Sequence, residues 1–258
     1  MCDCDPMFEL CLNKVVPIIK QVANRDMYSF SVEEKEGRGN FVTSLDKSFQ
    51  DELVAELSKI DPSYGFISEE EVHDKKDINW VIDPIDGTCN FLHNLPCTIS
   101  VALVDNDEPL LGVVYEILSG NYFLAVKGHG AFRYETIVKG AFRGEKYFKP
   151  VEISENNSGI AISGFPYDKN KTSKALSVIE KSLSISDGLR IIGPASLDIC
   201  KVADGTAKLY FEWDLKPWDY AAASLVLSEA GGTFLQKDDL FIFGSDFSTK
   251  QFLEMLEC

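Results

Sequence analysis

The densest concentration of chemically capable residues is the run Trp80-Val81-Ile82-Asp83-Pro84-Ile85-Asp86-Gly87-Thr88. Its apolar start reads as a strand that delivers Asp83 to its end, where Pro84 keeps Asp83 extended. Asp86 follows three residues later and is placed to cap a short helix running through Phe91, while Gly87 lets a ligand come close to the backbone. The Gly87 and Thr88 amides would then face outward at a helix start, a position that favours phosphate. Two carboxylates beside a phosphate repel it and each other. Mg²⁺ resolves that conflict, being a hard cation that takes oxygen ligands and shares them with phosphates. An Asp-Gly turn with an ordinary cap would explain the aspartates alone; the strand, the turn and the helix together favour a functional loop.

Two further acidic segments have bland readings in isolation. Ser68-Glu69-Glu70-Glu71 follows the apolar Gly65-Phe66-Ile67 and could be a solvated face. In Lys216-Pro217-Trp218-Asp219, Pro217 suits a first helical position and Asp219 complements the helix dipole. Taken together, Glu69, Asp83, Asp86 and Asp219 would form one convergent carboxylate set able to hold two or three Mg²⁺ ions.

These side chains need a scaffold. Residues 7–24 carry Leu10, Val15, Ile18, Ile19 and Val22 at helical spacing, and the polar, glycine-bearing stretch 33–39 reads as a mobile loop. A helix from Asp46 places Phe49, Leu53, Leu57 and Ile60 on one stripe and stops before Asp61-Pro62. Strands are expected at 65–68, 79–82, 98–104, 110–115 and 122–126, with Asp105-Asn106-Asp107-Glu108-Pro109 closing a hairpin. After about residue 150 strand and helix alternate. Strands at 159–163, 189–192 and 207–212 interleave with helices near 171–184, 195–203 and 217–230. A strand pair within 232–243 and a helix at 248–256 follow. The chain therefore reads as an α+β half, 1–150, bearing most of the acidic set, and an α/β half, 151–258, that completes it. Gly130-Ala131-Phe132-Arg133 recurs as Gly140-Ala141-Phe142-Arg143, a lengthened hairpin at 133–143 rather than a repeat array.

Bulk properties exclude other classes. With 41 acidic against 25 basic residues in 258, the net charge of −16 opposes binding to a nucleic-acid backbone and suits divalent cations. No apolar run is long enough to span a bilayer, and the acidic start, Met1-Cys2-Asp3-Cys4-Asp5, does not resemble a signal peptide. Seven scattered cysteines read as reduced, cytoplasmic thiols, and Cys2, Cys4 and Cys11 lack the paired spacing of a zinc site. Three histidines (His73, His93 and His129) supply no histidine-built zinc centre either.

The sequence resembles the inositol monophosphatase family, within the wider group of fructose-1,6-bisphosphatases and 3′-nucleotidases. The likeness covers nearly the whole chain. It runs through Asn40–Asp46 (numbers 40–46), Phe66-Ile67-Ser68-Glu69-Glu70, 80–91, Gly112-Val113-Val114-Tyr115, 127–132, 163–167 and Gly193-Pro194-Ala195, and ends with Trp218-Asp219-Tyr220-Ala221-Ala222 and Glu229-Ala230-Gly231-Gly232. The resemblance implies a layered αβαβα sandwich of the inositol monophosphatase and fructose-1,6-bisphosphatase type. It implies that Glu69, Asp83 and the Ile85 carbonyl hold one Mg²⁺, and that Asp83, Asp86 and Asp219 hold a second. A third, weaker ion would sit near Glu69, with Asp46 and Glu70 orienting its water, which makes lithium inhibition an expectation.

By the same resemblance Thr88, partnered by Asp46, positions the attacking water, so that Glu69, Thr88 and Asp46 form the catalytic set. The Gly87 and Thr88 amides hold phosphate, and Asp86, Gly193, Ala195, Glu212 and Asp219 meet the rest of the substrate. Ser68 stands where the family usually has Gly, and Cys89 where it has a second Thr. The implied activity is hydrolysis of a small phosphorylated polyol, inositol monophosphate first, by a cytoplasmic homodimer. Fructose-1,6-bisphosphate, histidinol phosphate and 3′(2′),5′-bisphosphate nucleotides are alternative substrates, and a non-catalytic partnership with the transcription machinery is an alternative role. A haloacid-dehalogenase-type phosphatase fits less well, because its two aspartates stand two residues apart and Asp83 and Asp86 stand three apart.

Overall fold

The computed structural model describes residues 5–25, 30–34, 41–70, 75–139, 142–151, 153 and 158–257. Cys2, Cys4, Asn40, Glu71, His73, most of the 33–39 loop and the start of the second Gly-Ala-Phe-Arg copy lie outside them. The chain opens with α1 (Pro6–Leu10), a π-helical turn (Cys11–Val15) and α2 (Val16–Ala23). The expected helix at 7–24 is thus present but interrupted. Pro17 has no amide to donate and its ring crowds the preceding turn, so the ladder widens there and the Val16 amide bonds back to the Cys11 carbonyl. Strands β1 (Val32–Glu34) and β2 (Phe41–Thr43) pair antiparallel, and α3 (Ser44–Leu57) follows.

Next come β3 (Gly65–Ser68), β4 (Ile78–Asp86), α4 (Thr88–Leu92), β5 (Thr98–Asp105), β6 (Glu108–Glu116), β7 (Tyr122–Val126), β8 (Ala131–Lys139) and β9 (Phe142–Val151). These strands form a seven-stranded sheet in sequence order, with β3 and β4 parallel and every other pair antiparallel. The β5–β6 turn places Asn106 and Asp107 in the left-handed region, as a tight hairpin requires. Then follow β10 (Ala161–Ser163), α5 (Thr172–Ser182), β11 (Leu189–Arg190), α6 (Ala195–Ala203), β12 (Leu209–Trp213), α7 (Pro217–Glu229), β13 (Thr233–Lys237), β14 (Leu240–Gly244) and α8 (Asp246–Glu257). Their strands form a second sheet, ordered β11-β10-β12-β14-β13. The expected 189–192 strand is shorter, because only Leu189 and Arg190 pair with β10.

Side-chain alternation along each strand sorts the core into three clusters. Trp80 and Ile82 of β4 face Phe49, Leu53 and Leu57 of α3. Val81 faces the other way and joins α6, α7 and the inner residues Tyr210, Phe241 and Phe243. Leu209, Phe211 and Trp213 point outward beneath α5 and α8 with Val178 and Phe252. The order helix, sheet, helix, sheet, helix is the layered sandwich anticipated above. Helix α7 lies so close to β6 that a Cβ on Gly112 would come within 2.6 Å of the Ala222 carbonyl oxygen. None of the helices among the described residues is long and apolar enough to cross a membrane.

Candidate active site

The expected acidic residues meet where β3, β4, α6, β12 and α7 approach one another. They line a cleft of about 610 Å³ together with Ile85, Gly87, Thr88, Gly193, Ala195 and Glu212. Glu69 directly follows β3. Asp83 and Asp86 lie on either side of an irregularity in the pairing of β4 with β5, at Pro84 and Ile85. This bulge changes the direction of the strand end and brings both carboxylates to the cleft. Asp219 stands in the first turn of α7, where its Oδ2 accepts the Lys216 amide at 2.7 Å. Asp83 Oδ1 accepts the Ile85 amide at 3.0 Å.

The structure corrects one local expectation. Asp86 does not cap α4; Gly87 occupies that position at φ +85° with no side-chain cap. Asp86 Oδ2 instead accepts the Ser196 amide at 2.9 Å and the Ser196 hydroxyl at 2.6 Å. The start of α6 offers two donors and the positive end of a helix dipole, which together outcompete a single local amide. Ser196 in turn shares a hydrogen bond with Thr98 at 2.7 Å. Neither residue stood out in the sequence, since a lone serine after Gly-Pro-Ala gives no signal of what lies across the fold.

Thr88 is held from behind the cleft. Its hydroxyl lies 2.9 Å from Asp46 Oδ1 and 3.2 Å from the Ile85 carbonyl. Asp46 is wholly buried, and its Oδ2 accepts from both the amide and the hydroxyl of Thr43, at 2.7 and 2.6 Å. The helix therefore begins at Ser44 rather than Asp46, with Thr43 and Asp46 forming a capping box. Asp46 is the one member of the expected catalytic set that does not line the cleft. Glu70 raises Asp46 through its charge, and its amide donates to Gln50 Oε1 at 3.2 Å. Gly193 is fixed by its amide, which donates to the buried Asp198 at 3.0 Å, and Ala195 opens α6. Cys89 lines the cleft with its sulfur 4.0 Å from His93 Nδ1, and Ser68 is buried at the end of β3.

The electrostatics are those of a crowded anionic site. Burial, then the charges of Glu69, Asp86, Asp219 and Asp46, push the Asp83 carboxyl well above the usual range. Asp219 is raised well above its ordinary value by burial and then by Asp86. Asp86 rises to about 7, mainly by burial, with the Ser196 hydrogen bonds opposing the shift. Glu212 rises to about 8, again mainly by burial, with the Tyr210 hydroxyl opposing. Among the described residues lining the cleft only Lys216 is basic.

As the side chains stand, no three His, Cys, Asp or Glu residues among those described surround a point closely enough to hold a metal ion. The chemistry of the donor set nonetheless fits a hard divalent cation. It is made of carboxylate and carbonyl oxygens, Asp83 and Asp86 are buried and Glu69 and Asp219 half-buried, and among the largest influences on Asp83, Asp86 and Asp219 no cationic side chain offsets their mutual repulsion. The Ser196 and Lys216 hydrogen bonds fall on Oδ2 of Asp86 and of Asp219, so that Oδ1 of each carboxylate can turn to an ion.

Comparison with known proteins bears on the family and the fold. The family model described as the inositol monophosphatase family matches residues 6–249. A Thermotoga maritima protein named fructose-1,6-bisphosphatase/inositol-1-monophosphatase is 36% identical over 206 residues, covering 78% of this chain and 73% of that protein. A Xylella fastidiosa protein named Nus factor SuhB is 34% identical over 200 residues, covering 77% and 70%. Among solved structures, a Thermotoga maritima IMPase superposes with a TM-score of 0.75 at 30% identity, covering 94% of this chain and 96% of that one.

Proposed function

Since the chain belongs to the inositol monophosphatase family, we propose that it is a Mg²⁺-dependent phosphomonoesterase acting on a small phosphorylated polyol, inositol monophosphate foremost. The observation that carries this reading is the convergence of Glu69, Asp83, Asp86 and Asp219 on one cleft beside the start of α4. In this reading Glu69, Asp83, Asp86, Asp219 and the Ile85 carbonyl hold two or three ions. Bound Mg²⁺ supplies a water of lowered pKa and neutralises charge on the phosphate and on the leaving oxygen.

The remaining chemistry belongs to the chain. Asp46 and the Ile85 carbonyl fix the Thr88 hydroxyl, so that its lone pairs orient the incoming water rather than rotate freely. The amides at Gly87 and Thr88 face the phosphate oxygens, and the left-handed turn at Gly87 clears the way for that approach. Glu212, with the loop at Gly193 and Ala195, meets the hydroxyls of the polyol.

The charge of the lining argues for a monophosphate. Beyond the metal ligands, a second phosphate on the substrate would meet Asp168, Glu212 or Asp214, with Lys216 the single basic side chain among the described residues lining the cleft. Fructose-1,6-bisphosphate and bisphosphate nucleotides are disfavoured on this ground, whereas a neutral polyol is not. The test is phosphate release from a panel of inositol, histidinol, fructose and nucleotide phosphates with Mg²⁺ and with chelator. Inositol monophosphate should be turned over fastest and only with metal. Preference for a bisphosphate, or turnover that persists in chelator, would contradict the reading.

The similarity to a protein named Nus factor SuhB supports a second role, as a protein partner of the transcription machinery. Binding to transcription components that survives an inactivating Asp83→Asn substitution would reveal it.

A further inference from the structure

The cleft contains one carboxylate whose placement is built with more care than a metal site needs. Glu212 lies on β12, two residues after Tyr210, so both side chains leave the same face of the strand. Tyr210 is fully buried, and its hydroxyl donates to Glu212 Oε2. On the neighbouring strand, β10 pairs in parallel with β12, Ile162 beside Tyr210 and Ser163 beside Phe211. The next residue, Gly164, therefore comes alongside Glu212, and its amide donates to the Phe211 carbonyl at 3.2 Å.

Gly164 has no left-handed backbone to explain it. Its reason is space: a Cβ there would fall 1.8 Å from the Glu212 carboxyl carbon and 2.0 Å from Oε1. A phenol on one side and a bare backbone on the other thus leave the carboxylate one available position. The Tyr210 phenol is pushed well above its usual range, mainly by burial, which keeps it a donor.

We propose that Tyr210 and Gly164 are positioning residues for Glu212, which together make the cleft selective for phosphate esters bearing hydroxyl groups. This rests on the polyol reading above. With Oε2 bonded to Tyr210, the Glu212 carboxyl is left with Oε1 as the fixed hydrogen-bonding partner for a substrate hydroxyl. A site built to hydrogen-bond a hydroxyl discriminates strongly against an analogue that lacks one, provided that the acceptor cannot move away. The phosphate end of the site is untouched by this pair, so their effect belongs to binding of the polyol.

The experiment compares inositol 1-phosphate with p-nitrophenyl phosphate, which has no hydroxyl, in the full-length Mg²⁺-loaded protein. Four forms are measured: wild type, Tyr210→Phe, Glu212→Gln and the double variant. Tyr210→Phe should raise KM for inositol 1-phosphate about tenfold, the scale of one lost hydrogen bond, with kcat within about twofold and both constants for p-nitrophenyl phosphate unchanged. In the Glu212→Gln background the same change should add nothing, because Tyr210 acts only through that carboxylate. Gly164→Ala should reproduce the selective KM effect without removing a buried ring, and serves if Tyr210→Phe does not fold.

A loss shared equally by both substrates, or one that adds to that of Glu212→Gln, would overturn the proposal while leaving the polyol reading intact. If Glu212→Gln itself leaves inositol 1-phosphate unaffected, the polyol reading of Glu212 fails, and the proposal falls with it.

Discussion

Asp83 is the side chain on which most of the site converges. It is buried between Glu69, Asp86 and Asp219, and its carboxyl feels each of their charges. In the proposed arrangement it serves both principal ions. Asp83→Asn keeps the shape and removes the charge, so it should lower turnover by about three orders of magnitude or more while the folded protein accumulates normally. Steady-state phosphate release beside a circular-dichroism melt checks both halves of that statement. Thr88→Ala tests orientation rather than charge. It removes the hydroxyl held by Asp46, and kcat should fall by roughly 10²-fold with little change in KM. Thr88→Ser, which keeps the hydroxyl, should retain most of the rate.

At the scale of elements, the site depends on how α3 and β4 end. Thr43 caps α3 and also anchors Asp46, the residue behind Thr88. Thr43→Ala should therefore cost about 1–2 kcal/mol in a denaturant titration, the usual loss for an N-cap, and should lower kcat as well, because Asp46 is freed. An ordinary cap would show the first effect alone, and Thr43→Ser should rescue both.

Much of this was legible in the chain. Patterning marked most of the strands and helices, because each buries one face; β1 and β2 were not read, and Glu33 and Glu34, read as loop, pair in β1, which is exposed along its length. The DPIDGT run marked the acidic turn, although β4 continues past the expected end at Asp83 to Asp86, and the resemblance to a known family supplied the convergence of Asp219 with it. What could not be read were pairings across distance. Asp86 binds Ser196 from a separate layer, and Gly164 faces Glu212 only through the β10–β12 register. The π-turn near Pro17 was missed because apolar spacing persists through it.

For the molecule as a whole, the carboxylate cradle is a built-in source of instability that metal relieves. Asp86 rises from 3.8 to about 7 in the folded state, and Glu212 from 4.5 to about 8. Between the ordinary and raised values the folded protein binds more protons than the unfolded chain, so stability falls as pH rises through that window. Melts of chelated protein should therefore show Tm declining from about pH 5 to pH 8. Saturating Mg²⁺, which binds the deprotonated carboxylates, should remove most of that decline. A chelated Tm independent of pH would contradict the electrostatic account.

The middle core joins Val81, Ala102 and Val114 from the large sheet to α6, α7 and the small sheet. We propose on that basis that 1–150 and 151–258 are halves of one folding unit. Either half expressed alone should be unfolded or aggregated, because an apolar face that size is left in water.

The most direct test of the central claim is anomalous scattering from crystals soaked in Mn²⁺, a redox-stable stand-in for Mg²⁺ with the same preference for oxygen ligands. The account predicts peaks inside the cleft, touched by the carboxylates of Glu69, Asp83, Asp86 and Asp219. Peaks confined to other surfaces, or a cleft in which those four carboxylates hold no ion between them, would contradict it.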